Sequence, residues 1–293
     1  VFSGEQGTGK STISRLVRSL VDPNAAPIRA VPKDDRDLVV GAVNSHVIAL
    51  DNLSSVPNWL SDALCRLATG GGFASRMLHT DRDESVMQAM RPIILNGIPS
   101  LTDRPDLASR AVTVRLRPIP DNERRTEAEF WGAWATTAPR VLGALLDALS
   151  TGLRRLPSVK LARSPRMADF ASFATACEPA LGFEHGAFLA AYAENLSDVA
   201  ETTFEADPIA VAIRDMVRAE YPSGWNGTPT ELLAALNLRA SDASRRLRLW
   251  PQTSNSLGSR VDRVAPLLRQ QGFRVDRKHS GTRTISIAPA VGA

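Results

Sequence analysis

Eight residues near the start of the chain constrain it most. Residues 4–11 read GEQGTGKS and match G-x-x-x-x-G-K-[ST] at every fixed position. An apolar stub precedes them, and a run with Ile13, Leu16, Val17 and Leu20 at helical spacing follows. Strand, loop and helix in that order form a phosphate cradle. The glycines let the backbone curl so that successive N–H groups face an anion at a helix N-terminus, the Lys10 ammonium neutralises phosphate charge, and the Ser11 hydroxyl is suited to Mg2+. The motif predicts a phosphate-binding loop that takes ATP and Mg2+ through Gly4, Glu5, Gln6, Gly7, Thr8, Gly9, Lys10, Ser11 and Thr12. The expected fold class is α/β, a parallel sheet with helices on both faces.

Such a loop works with a metal-orienting acid at the tip of a buried strand. Residues 46–52, HVIALDN, supply an apolar run ending in Asp51, and an acid at the carboxyl edge of a parallel sheet points into the crevice where phosphates lie. Asp51 is the Walker B candidate, holding the metal with Ser11. Next comes Asn52, where many ATPases carry a catalytic glutamate. Either Asn52 positions the attacking water or an acid elsewhere does, Glu5 among the candidates.

An amphipathic helix over 57–68, with Trp59, Leu60, Ala63, Leu64 and Leu67, is ended by Gly70, Gly71 and Gly72. Residues 73–90 read as a hairpin around a charged turn at 81–84. Residues 91–96, RPIILN, read as a second buried strand, whose terminal Asn96 could hold water between the terminal phosphate and Asp51. The alternation of Ala111, Val112, Val114 and Leu116 marks a third strand, preceded by Arg104 and Arg110. A guanidinium offered to a phosphate held by a neighbouring subunit is an arginine finger, with Arg110 the first choice and Arg104 the second. Lys10, Asp51, Asn96 and Arg110 form the expected catalytic set.

In this order and spacing the motifs resemble an AAA+ type P-loop NTPase core, and the hairpin before the Asn-tipped strand resembles that of its helicase branch. The stretch 50–110, with LDNLSSVPNWLSDALCRLATGGGFASR, RPIILNGI and RPDLASRA, is similar to ATP-binding proteins of mobile elements and to the superfamily-three-like ATPases of phage and plasmid primase-helicases. The resemblance implies an ATP-hydrolysing DNA motor, a helicase or translocase working in mobile-element DNA replication on single-stranded or forked DNA. It also implies a homo-oligomeric, hexameric ring and a primase-polymerase region upstream. Asn96 would be sensor one and Arg110 the finger. Arg76, His79 and Arg82 of the hairpin would touch DNA, unless the hairpin packs on a neighbouring subunit. The alternative is a nucleotide-dependent switch or loader with little turnover, which Asn52 favours.

Behind this core, helices are expected over 123–156, where Phe130, Trp131, Trp134, Val141, Leu142, Leu145, Leu146 and Leu149 read as buried, and over 167–203. The domains are therefore 1–120, the ATPase core; 121–206, a helical extension; and 207–289. Charge marks the last as different. From residue 208 onward there are 13 Lys and Arg against 6 Asp and Glu, while the rest of the chain is slightly acidic. Thr228 and Glu231 form a capping box at a helix start. Three helices followed by two short strands around Ser280 and Gly281 resemble a winged helix. Its third helix would offer Asn255, Ser259, Arg260, Arg263 and Arg269 to nucleic acid, with Arg277, Lys278 and Arg283 on the wing. Protein docking is the other use of such a domain.

Cys65 and Cys177 lie far apart without a C-x-x-C, and read as small core residues in a reducing, cytoplasmic compartment. No apolar run approaches the roughly 20 residues of a membrane span. The chain begins three residues before Gly4 without a Met, so a preceding portion is expected.

Overall fold

The apolar stub folds as β1 (Phe2–Ser3), and α1 (Lys10–Val21) starts at the lysine of the glycine-rich motif. The structure, a computed structural model, describes residues 1–76, 84–97, 101, 104–247, 249–278 and 283–290. It divides into two units, Val1–Ser197 and Asp198–Ala293.

In the first unit, α2 (Asp35–Val43) follows α1, its start capped by the Asp34 carboxylate accepting the Asp37 N–H, and buries Leu38, Val39 and Ala42. The sequence reading does not anticipate α2, because its apolar residues are bunched rather than periodic. Then come β2 (Ile48–Leu53), α3 (Asn58–Thr69), β3 (Gly72–Arg76), β4 (Glu84–Gln88), β5 (Ile93–Gly97), the short α4 (Pro105–Ala108) and β6 (Val114–Arg115). Strands β2, β5, β1 and β6 lie in that order in one sheet, all parallel. Arg29 adds a single parallel bridge to Leu50 on the outer edge of β2. The expected hairpin is present as the antiparallel pair β3 and β4. Leu60, Ala63, Leu64 and Leu67 of α3 pack with Leu38, Val39, Ile48, Leu50 and Leu95 as the core of this unit.

Three expectations change here. Helix α1 turns Ser14 and Arg18 fully inward, while Ile13, Leu16, Val17 and Leu20 are only partly covered. Arg18 tolerates burial because its guanidinium pairs with Asp22 at 2.6 Å and donates to the Pro27 carbonyl at 3.2 Å. The third strand is two residues long, and Val114 in it is exposed, because β6 is the edge strand. Helix α5 (Glu127–Arg155) starts at a Thr126/Glu129 capping box but buries only Ala148 and Gly152. Leu142, Leu145, Leu146 and Leu149, expected in the core, are 39–54% exposed. Helical periodicity put them on one face correctly, but among the described residues that face is left about half open.

Helices α6 (Ala168–Cys177) and α7 (Ala187–Glu205) complete the helical region. The buried Glu178 carboxylate accepts the N–H groups of Gly186 and Phe188 at 2.9 and 2.7 Å, fixing the start of α7. Asn195 clamps the backbone of Thr113, accepting its N–H at 3.0 Å and donating to its carbonyl at 2.6 Å.

The second unit is made of α8 (Pro208–Glu220), β7 (Trp225–Gly227), α9 (Pro229–Arg239), α10 (Asp242–Arg245), α11 (Ser254–Gln270), β8 (Phe273–Lys278) and β9 (Thr284–Pro289). The three strands form an antiparallel sheet in the order β7, β9, β8. Strand β7 is a third strand beside the two expected from the sequence. Ile209, Ile213, Met216, Leu232, Leu236, Leu257, Val261 and Leu268 join Ile285 and Ile287 in one core. The capping box read at Thr228 is formed. Among the described residues no helix is long and apolar enough to cross a membrane.

Candidate functional site

The loop between β1 and α1 turns on glycines held at positive φ, 80° at Gly7 and 79° at Gly9, which a side chain would strain. Gly9 ends the loop as the residue before α1, and that helix start has neither a side-chain cap nor an acidic residue in its first turn. Its first N–H groups and the positive end of its dipole are left for another acceptor. The Lys10 ammonium folds back over the loop and donates to the carbonyls of Gly4 and Glu5 at 2.8 and 2.6 Å. Thr8 is buried, its hydroxyl donating to the Glu5 carbonyl at 3.0 Å. Glu5 and Gln6 are exposed.

The tip of β2 meets this loop. Ser11 Oγ donates to Asp51 Oδ1 at 2.9 Å, so the two expected metal-binding residues stand together. Beyond Leu50 the pairing of β2 with β5 shifts by one residue, Leu50 facing Leu95 and Leu53 facing Gly97. This bulge puts Asn52 at φ 56°, the one described non-glycine residue with positive φ, at a cost of roughly 1 kcal/mol. Gly97 permits it, since a Cβ there would lie 2.1 Å from the Leu53 carbonyl oxygen.

Asn96 lies deeper than its expected role requires. It is 1% exposed, its Oδ1 accepts the Asn52 N–H at 2.9 Å, and its Nδ2 donates to Ser14 Oγ at 3.1 Å. Ser14 in turn donates to the Lys10 carbonyl at 2.9 Å. The amide thus ties the bulge to α1, and Asn52, which is exposed, occupies the outer position at the strand tip.

Of the two arginines, Arg104 is bound by Asp62 at 2.7 Å and Asp106 at 3.2 Å. Arg110 is anchored less fully, donating to the Asp106 carbonyl at 2.8 Å with Cys65 Sγ at 3.9 Å. Burial, then the neighbouring Asp106 carboxylate, push the Cys65 thiol above its ordinary pKa, so it stays protonated, as expected of a structural cysteine. Cys177 is buried, and both cysteines are free. Sequence reasoning missed Ser14, which no motif marks, and Arg124, whose guanidinium would lie 3.6 Å from a Cβ on Gly7. His79 and Arg82 fall outside the described residues, as do Ser280 and Gly281; of Arg76 only the backbone is described.

In the second unit, an open cleft of about 740 Å3 is lined by Thr230, Asn255, Ser259, Asp262, Arg277 and Arg283. Two arginines expected to face nucleic acid are used internally instead. Arg260 pairs with Asp207, the residue capping α8, and Arg277 pairs with Asp262 and donates to the Gly258 carbonyl. Arg269 donates to the Val275 carbonyl at 3.0 Å. Asn255, Ser259, Arg263, Lys278 and Arg283 remain exposed.

Both units match known families. Residues 1–202 match the family described as actinomycete integrative conjugative element replication protein, and residues 209–291 match the RepA C-terminal domain of the same elements. The chain belongs to this replication protein family. It is thus a replication protein of an integrative conjugative element, which accords with the expected place in mobile-element DNA replication. No curated protein matches the chain.

Proposed function

We propose that this conjugative-element replication protein binds and hydrolyses ATP in its first unit and uses that turnover to move on DNA. The observation that carries this reading is the Ser11–Asp51 hydrogen bond, which joins a lysine-bearing glycine loop to an acid-tipped strand 40 residues away. The strand order supports it. β1 lies between β5 and β6, with β2 beyond β5, so the loop, Asn96 and Asp51 leave the carboxyl edge of one parallel sheet side by side, where α/β folds bind phosphates.

The residues fit the nucleotide. The uncapped start of α1 and the turned loop suit phosphate oxygens, and Lys10 can exchange two carbonyl partners for them. Ser11 and Asp51 supply the hard oxygen donors that Mg2+ takes beside substrate phosphates. When bound, the ion neutralises charge developing on the transferred phosphoryl group. Arg110 is the candidate to reach a phosphate bound by a neighbouring copy, which makes a ring the working assembly.

The second unit, three main helices with an antiparallel hairpin in the order of a winged helix, is the DNA-holding part. Its exposed Asn255, Ser259 and Arg263 on α11, with Lys278 ending β8 and Arg283 just before β9, are suited to base edges and phosphates.

The test is ATP turnover with and without single-stranded DNA, for the wild type and Lys10→Ala. DNA-stimulated turnover abolished by the substitution supports the motor. Tight ATP binding without turnover sinks it and favours a nucleotide-controlled loader, the second reading, for which the observation is Asn52 in place of a carboxylate after Asp51.

A further inference from the structure

The β2 bulge raises a question that the motif alone does not. Asn96 stands at the tip of the strand beside β1, where an amide is suited to hold the attacking water. Yet it is 1% exposed, and both ends of its amide are engaged, by Asn52 N–H and Ser14 Oγ. The residue that the bulge turns outward next to Asp51 is Asn52. Its left-handed backbone is fixed from two sides: Asn96 accepts its N–H, and the close approach of Gly97 to Leu53 leaves the bulge room. On the other edge of the strand, Arg29 accepts the Asp51 N–H at 2.9 Å, so the bulge cannot slide. A strained, over-determined residue beside a metal-gripping acid is where an active site places a reacting side chain.

The geometry points to Asn52 as the side chain that contacts the terminal phosphate or its attacking water, with Asn96 a positioning residue that acts through it. This rests on the nucleotide reading above. Asn52 carries no charge, so its amide orients water by accepting and donating hydrogen bonds and takes no proton from it. Ser14 extends the same link to the Lys10 carbonyl, which couples the bulge to the first turn of α1.

The test is a set of single and double variants of the full chain, read in steady-state turnover and in ATP and ADP affinity with a fluorescent nucleotide. Asn52→Gly keeps the left-handed turn and removes the side chain. It is expected to lower turnover at least about tenfold, as loss of an orienting group does, and to leave ADP affinity within about threefold. Asn52→Ala is expected to do the same. Asn96→Ala lowers turnover alone but adds nothing to Asn52→Gly, because the side chain it positions is already gone. Wild-type turnover in Asn52→Gly, or losses that multiply in the double variant, overturn the assignment. A wild type without turnover would sink the motor but not this inference. The cycle is then read in the ratio of ATP to ADP affinity, which reports contacts to the terminal phosphate: a ratio lowered by Asn52→Gly supports the assignment and an unchanged ratio overturns it. A wild type that binds neither nucleotide overturns both.

Discussion

Ser11 Oγ and Asp51 Oδ1 are 2.9 Å apart, although 40 residues separate them in sequence. The hydroxyl sits in the first turn of α1 and the carboxylate at the bulge of β2, so this bond sets the register between helix and sheet where the proposed metal binds. Each group gives one oxygen to Mg2+ in that proposal. Ser11→Ala and Asp51→Asn are each expected to weaken Mg2+-dependent ATP binding about ten- to a hundredfold. In the presence of EDTA the residual affinity should match the wild type. Calorimetric titration with and without Mg2+ checks this, and equal losses in both conditions would count against metal binding by the pair.

Arg18 of α1, its side chain 1% exposed, forms an ion pair with Asp22, the residue just after that helix. The Val47 N–H bond, and then the Arg18 charge, outweigh burial and hold the Asp22 carboxyl below its ordinary pKa. A carboxylate whose pKa is depressed in the fold contributes stability above its unfolded value of roughly 4, and that contribution is lost as pH falls through the lower folded value. Asp22→Asn is expected to cost about 3 kcal/mol at neutral pH, since it leaves a buried guanidinium without its anion. The gap to the wild type should narrow below about pH 4. Urea unfolding at several pH values reads both effects, and a gap independent of pH would assign the loss to packing.

The glycine-rich loop, the acid-tipped strand, α3 and the β3–β4 hairpin were legible because each has a local signature. Gly7 and Gly9 mark turns that only glycine takes without strain, and the apolar run ending in Asp51 marks a strand covered on both faces. What escaped depends on partners distant in sequence. Periodicity assigns Leu145, Leu146 and Leu149 to one face of α5 but cannot say whether anything lies against that face. Arginine content marks the second unit as basic, yet Arg260 and Arg277 are held by Asp207 and Asp262, 53 and 15 residues away. The depth of Asn96 follows from Ser14 and from a bulge that no pattern of residues announces.

That distinction among arginines separates stability from binding in the second unit. Arg263 is exposed and has no ion-pair partner among the described residues, whereas Arg260 is largely buried on Asp207. Arg263→Ala is expected to weaken duplex DNA binding by about 1–3 kcal/mol without moving the unfolding midpoint. Arg260→Ala should instead destabilise the unit by about 3 kcal/mol, because Asp207 loses its counter-charge. Fluorescence anisotropy and thermal unfolding on both variants distinguish these outcomes. Loss of DNA binding in neither would turn the unit toward protein docking.

Arg110 gives the ring reading its own check. In that reading Lys10→Ala removes the proposed phosphate grip of one copy, and Arg110→Ala removes what that copy is proposed to offer to its neighbour. Each variant alone is expected to be inactive, while a mixture of the two should recover part of the turnover, because some interfaces then combine an intact Lys10 with an intact Arg110. No recovery in the mixture would place Arg110 in service of its own chain, where Asp106 and Cys65 already hold it.

Two glycines of α5 set helix propensity against packing. Alanine at either position lowers the backbone entropy lost on helix formation, worth roughly 1 kcal/mol. At Gly143 a new Cβ meets nothing within 4 Å, so Gly143→Ala is expected to stabilise by about that amount. At Gly152 the same Cβ would stand 2.5 Å from Cys177 Sγ and 3.1 Å from the Phe173 ring, both on α6. Overpacking costs about 1–3 kcal/mol, and here the clash involves two side chains already fixed against the helix. Gly152→Ala is therefore expected to destabilise despite its better propensity, and opposite shifts of the unfolding midpoint in the two variants are the result to look for. A stabilised Gly152→Ala would mean that α6 and α5 are packed more loosely than these distances require.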